Sequence, residues 1–130
     1  MKKSRIIEWT VFYPDVVVWI SVAKVDASWK HDVGYYVGCH AEGQANGEPT
    51  KYMRFGQWFT EGHRVWMPNL GLNDGHISFS NGRHSFAWLR DHGVRTLPIT
   101  VPEDTATEVR RRFGTKSRTS RLPRKSIGLP

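Results

Sequence analysis

A chain of 130 residues is long enough for one domain with a hydrophobic core and too short for two. It has no run of about 18 apolar residues, no apolar leader behind its first lysines and one cysteine, Cys39, so a membrane span, an exported chain and an internal disulfide are not expected. The net charge of +7 sits at one end: residues 1–107 hold eleven Lys/Arg against eleven Asp/Glu, whereas residues 108–130 hold Arg110, Arg111, Arg112, Lys116, Arg118, Arg121, Arg124 and Lys125 against Glu108 alone.

In chain order, Val11–Tyr13 and Val16–Val25 are rich in β-branched and aromatic residues and read as two strands broken by Pro14 and Asp15. Strand or irregular structure is expected at Tyr35–Cys39, and "EGQANGEP" has the composition of a loop. From Thr50 the period changes: Tyr52, Phe55 and Phe59 fall at helical spacing and Gly62 stands where a glycine ends a helix, so Thr50–Glu61 is expected to be helical despite Gly56. "HRVWMP" reads as a short strand, "NLGLNDG" as a turn and "HISFS" as a strand. A helix ending at Gly93 follows, then "TLPITV" as a last strand whose Pro98 suits an edge or a first position. "EDTATEVRRRFG" has the pattern of a short helix. The last fifteen or so residues, polar and interrupted by Pro and Gly, are expected to be mobile unless a partner orders them.

The junction "SFSNGRHSFAWL" is the strongest candidate for a site. A strand, a glycine turn and a helix start leave backbone N–H groups unpaired where the helix dipole is positive, which favours anions. Ser80 or Asn81 is placed to cap the helix, Gly82 lets a ligand approach the backbone, and Arg83 and His84 add side-chain donors, with Ser85 closing the candidate phosphate site. The plainer reading is a capped helix with a solvated arginine and a packed histidine.

The run "ISFSNGRHSFAWLRDHGVRTLPITV" resembles the phosphate-binding box of the ParB/sulfiredoxin-like superfamily. With "RFGQWFTEGHRVWMPNLGL" before it, the chain more narrowly resembles the plasmid fertility-inhibition factors, a group that includes oncogenic-suppression proteins; the similarity covers about residues 50–101. The resemblance implies a small α+β domain with a mixed sheet and two or three helices over residues 1–107, followed by a basic flexible tail over 108–130. It implies that Ser80–Ser85 hold phosphates of a nucleotide such as ATP or CTP or of DNA, with Gly82 as the motif glycine and Arg83 and His84, at its two variable positions, as the candidate catalytic residues, and that the protein interferes with conjugative DNA transfer, with ATPase or DNase activity in that role. A bacterial, plasmid-encoded, cytoplasmic protein that meets the conjugation machinery is the corresponding expectation. Ser85 departs from the family's second basic residue, an arginine, which weakens the case for hydrolysis more than that for binding. The sulfiredoxin cysteine position is occupied by Arg83, so sulfinic-acid reduction is not expected.

Other chemistry has less support. The six histidines show no metal-ligand spacing, and Cys39 beside His40 does not specify zinc. A nuclease would hold Mg²⁺ on carboxylates, for which Asp74 and Asp91 are available, yet "NDG" is an ordinary turn, Asp91 beside Arg90 reads as a solvated face and Glu61 as a helix end. The eight C-terminal cations suit a nucleic-acid backbone; if all acted on a duplex the salt slope would approach about −7. Trp19 reads as core, and Trp29, Trp58, Trp66 and Trp88 as core or as stacking positions. A non-enzymatic nucleic-acid-binding module, or an inhibitory interaction protein, remains the alternative function.

Overall fold

The computed structural model describes residues 4–11, 14–38 and 48–123. The sequence forms β1 (Arg5–Ile6), β2 (Trp9–Thr10), β3 (Val16–Ser21), α1 (Val22–Trp29), α2 (Pro49–Thr60), β4 (Val65–Trp66), β5 (Asn69–Asn73), β6 (His76–Asn81), α3 (Arg83–Asp91), β7 (Thr96–Val101), α4 (Glu103–Phe113) and β8 (Arg121–Leu122). The main sheet has the order β3-β7-β5-β6 and is mixed: β5 and β7 run parallel, and the outer pairs antiparallel. Two small pairings, β1 with β8 and β2 with β4, flank it. Helices α1 and α4 pack on the main sheet, and α2 packs on α3. The architecture is α+β, with four helices among the described residues rather than two or three.

The extra helix comes from the apolar run expected as one strand to Val25. The strand stops at Ser21, whose hydroxyl accepts from the Lys24 N–H and caps α1. Val22, Val25 and Trp29 then recur on one helical face, all buried. A run of valines cannot distinguish a buried strand from a buried helix; the serine cap decides it. Ahead of it, Trp9–Thr10 forms a strand that ends before Val11; Phe12 and Tyr13, expected as strand with Val11, lie outside the described residues.

"NLGLN", expected in a turn, is strand β5, and the turn is confined to Asp74 and Gly75, both at positive φ (53° and 79°). Pro98 lies in an internal strand, not at an edge. The Thr100 N–H donates to the Pro68 carbonyl at 2.9 Å, on the β5 side of β7. Pro98, two residues earlier, turns its nitrogen to the same side, ahead of the start of β5 at Asn69, where no ladder bond is needed.

The core gathers Trp29, Phe59, Phe86, Leu89, Leu97 and Ile99, all 0% exposed. Trp29 lies against Tyr36, Phe79 and Phe86 at centroid distances of 4.8, 4.5 and 5.7 Å. Gly56 is the contact point of α2 with α3: the Trp88 ring lies where a Cβ would go, and Phe55 and Phe59 meet the same ring at 5.7 and 5.6 Å. Trp19, read as core, is only partly buried.

The expected boundary at 107/108 falls inside α4, whose Ala106, Val109 and Phe113 are buried. Beyond it, residues 114–123 are built into the domain. Ser120 takes a hydrogen bond from Trp9 Nε1 and donates to the Thr96 carbonyl, and Leu122 is fully buried opposite Arg5. Residues 116–123 are therefore not the mobile tail that composition suggested; residues 124–130, with Arg124 and Lys125, lie outside the described residues, as do Cys39 and His40.

Candidate functional site: the Gly82 turn

The sheet aims β6 at the site. The register of β5 and β6 shifts between Asn69 and Leu70, and Asn81 sits opposite Asn69. Asn69 is itself buried, with its amide donating to Asp15 Oδ2 at 3.0 Å and Thr100 Oγ1 at 2.8 Å. A bulge at this point turns the strand end away from the sheet.

Gly82 follows at φ 87°, ψ 17° and occupies the N-cap position of α3. Neither Ser80 nor Asn81 takes that position, because β6 runs through both, and Gly82 has no side chain with which to cap the helix. A Cβ on Gly82 would lie 3.0 Å from Pro68 Cα, so glycine is required by backbone conformation and by the close approach of the β4–β5 segment. The first intrahelical bond runs from the Phe86 N–H to the Gly82 carbonyl, leaving the amides of Arg83, His84 and Ser85 as the helix's first donors.

Around this turn lies a cleft of about 490 Å³, lined by Ser80–Ser85 together with Tyr35, Lys51, Phe55 and Phe79. The structure thus brings together all six residues expected at the site. It adds Lys51 from the first turn of α2, and Tyr35. Arg83 donates to the Tyr35 carbonyl at 2.9 Å and lies 5.5 Å from the Tyr35 ring centroid, which holds the guanidinium at the cleft wall. Lys51 lies 3.5 Å from Glu48. No carboxylate lines the cleft among the described residues.

His84 Nε2 accepts the Glu48 N–H at 3.0 Å, which ties α3 to the start of α2. Burial, and then the neighbouring Arg83 charge, hold its imidazole below the ordinary histidine pKa. His84 is therefore neutral near pH 7, with its proton on Nδ1. Its Nε2 lone pair is engaged in the fold, so the ring can act on a ligand as a donor rather than as a base.

The other expected residues scatter. Asp74 is in the β5–β6 turn, as its "NDG" context implied. Asp91 is no solvated face: its side chain is 3% exposed, accepts from Arg90 Nε at 2.8 Å and from the Tyr52 hydroxyl at 2.7 Å, while Arg90 also reaches Asp26 at 3.0 Å. This network pins α1, α2 and α3 together; in it, burial pushes the Tyr36 hydroxyl, which donates to Asp26, up to about 12. Among the C-terminal cations, Arg111 pairs with Glu108 at 2.6 Å and Arg112 donates to the Gly75 carbonyl at 2.7 Å. Arg110, Lys116 and Arg118 line a separate cleft of about 370 Å³ with Val17 and Trp19. Arg121 joins Arg95 in another, beside Ser117 and Thr119.

The family model described as plasmid fertility inhibition factor matches residues 17–114, three quarters of the chain and the whole of the Gly82 cleft. The chain belongs to the plasmid fertility inhibition factor family. Its fold is similar to the crystal structure of the oncogenic suppression activity protein, a plasmid fertility inhibition factor, in a gold(I) cyanide derivative. The TM-score is 0.58 at 17% identity, covering 85% of this chain and 62% of that one. The chain thus spans less than two thirds of the length of the solved structure that it matches. A search of curated proteins finds no match. The family match ends at Gly114, so Lys116, Arg118 and Arg121 lie beyond it. Among the described residues no helix is long and apolar enough to cross a membrane, and no three of His, Cys, Asp and Glu gather to hold a metal ion.

Lys51 and Tyr35 were missed in the sequence because they are remote from the glycine motif. The signal for Lys51 was present: it lies four residues before Phe55 on the expected helix, and so on the same face.

Proposed function

We propose that this member of the family holds the phosphates of a nucleotide or nucleic acid at the Gly82 turn and acts against conjugative DNA transfer through that binding. The observation that supports it is the convergence of the α3 start, Arg83 and Lys51 on one cleft in which no carboxylate is found among the described residues. The volume of the cleft is in the range of nucleotide sites. ATP or CTP fits this donor set: amides of the first turn and Ser85 face one phosphate, and Arg83 and Lys51 neutralise the next. Mg²⁺ fits the described lining less well as a protein-held ion, because none of its usual carboxylate ligands is among those residues, so it would enter on the phosphates themselves.

Catalysis would place Arg83 against charge that develops on a phosphoryl group, with His84 donating from Nδ1. Both the ATPase and the DNase reading require a water-activating base that the described residues of the lining do not supply, and Ser85 stands at the family's arginine position. A second reading, binding without turnover, draws on that donor set. In either case Arg110, Lys116 and Arg118 offer DNA a second contact, at the end of α4.

Titration of ATP and CTP with Mg²⁺ into the full chain, with phosphate release followed in the same samples, tests the reading. Binding that is lost in Arg83→Ala with the fold intact is expected. Turnover makes the protein an enzyme, binding alone selects the second reading, and unchanged affinity in the variant contradicts both.

A further inference from the structure

The Gly82 cleft does not end at the phosphate-binding residues. Phe55, Asn81, Gly82 and Ser85 also line a neighbouring groove of about 230 Å³, whose remaining walls are Trp58, Val65, Trp66 and Met67. One compartment is cationic and polar; the next is apolar and aromatic. Trp66 is 60% exposed and Trp58 40% exposed, although both belong to elements whose neighbouring residues, Val65 and Phe59, are fully or almost fully buried. Large aromatic rings left at the surface beside a polar cleft are unusual enough to require a reason. Trp58 is held in place, with the His63 ring stacked on it at 4.7 Å and 6°.

We propose that this groove is a base-binding subsite: a nucleotide whose phosphate sits at the Gly82 turn lays its base against Trp66 and Trp58. The inference rests on the phosphate reading above. The order of chemistry along the two compartments, anion site and then aromatic wall, is the order of charge and flat apolar surface along a nucleotide. A groove of about 230 Å³ suits one ring system and is too small for the two-turn apolar face of a docked helix. Stacking on an aromatic side chain is tolerant of base identity, so the subsite selects for an accessible base rather than for a sequence. The base belongs to a free nucleotide or to an unpaired residue of a single strand; a base paired in a duplex has both faces covered.

The test is competition on the full chain with four probes: inorganic triphosphate, thymidine triphosphate, a 12-residue oligothymidylate and an abasic oligomer of the same length. The wild type is expected to bind each base-bearing probe about tenfold or more tightly than its base-less counterpart. Trp66→Leu, at an exposed position, is expected to erase that preference while keeping the affinity for inorganic triphosphate, and Trp58→Leu to reduce it. Which base-bearing probe shows the larger preference identifies the source, mononucleotide or single strand. Triphosphate binding without any base preference, or a preference untouched in both tryptophan variants, overturns this inference alone. Failure of the wild type to bind either base-less probe overturns the phosphate reading and this inference with it.

Discussion

Gly82 carries two demands at one position. A residue with a side chain at φ 87° pays a conformational penalty, and here its Cβ would also press on Pro68 at 3.0 Å. Gly82→Ala is expected to lower stability by about 1–3 kcal/mol in denaturant titrations and to weaken phosphate binding with it. A variant as stable as the wild type would mean that the turn relaxes freely. His84 makes a prediction with a definite sign. Its folded-state pKa lies below the unfolded value of about 6.5, so between the two the unfolded chain binds the proton and the folded chain does not. The stability linked to His84 is therefore complete above about pH 6.5 and is lost as pH falls through the folded value. Melting temperatures of the wild type and of His84→Gln, compared at pH 8 and pH 5.5, should draw closer at the lower pH; parallel curves would show that burial does not lower the His84 pKa.

At the scale of elements, the helix pair α2–α3 forms the floor of the cleft and depends on close approach. Gly56→Ala should raise intrinsic helix propensity by about 1 kcal/mol yet destabilise the protein, because its methyl group would occupy the Trp88 ring. A gain in melting temperature would contradict that packing. Asp91→Ala leaves Arg90 buried with one carboxylate fewer and is expected to cost on the order of 3 kcal/mol. The sequence shows why some of this was legible and some not. Periodicity located α2 and α3, and glycines at Gly62 and Gly93 stopped both where expected, each at positive φ. The valine run was ambiguous because burial on all sides hides period, and only Ser21 marks the change from strand to helix. Asp91 and Arg90 looked solvated because adjacent charges usually are; the partners that bury them, Asp26 and Tyr52, are 64 and 39 residues away from Arg90 and Asp91. The glycine motif exposed the core of the site, whereas Lys51, Tyr35 and the Trp66 wall arrive only through tertiary contact.

For the whole molecule, the main revision concerns the C-terminal segment. Charge composition suggested a detachable tail, but Ser120 and Leu122 are built into the core between β1 and β7, which composition cannot reveal when apolar anchors are single residues. Leu122→Ala should therefore cost about 2–4 kcal/mol, as a buried leucine does, where a mobile tail would show no change. On the proposed function, the cations divide between fold and partner. Arg111 and Arg112 are committed to Glu108 and Gly75, and Arg118 to the Thr115 and Ser117 carbonyls, while Arg110 and Lys116 line an open cleft. Replacing Arg110 and Lys116 by alanine should reduce the salt slope of duplex binding by about 2, measured by anisotropy across a salt series. An unchanged slope would remove that cleft from the DNA contact.

The central claim is that the amides after Gly82 receive phosphate, and backbone amide chemical shifts report it residue by residue. Inorganic triphosphate added to isotope-labelled protein is predicted to move the Arg83, His84 and Ser85 amide signals in a saturable way, with Leu122 and its neighbours unmoved. Shifts confined to Arg110, Lys116 and Arg118, or none at all, would contradict the account and leave the Gly82 turn as a structural helix start.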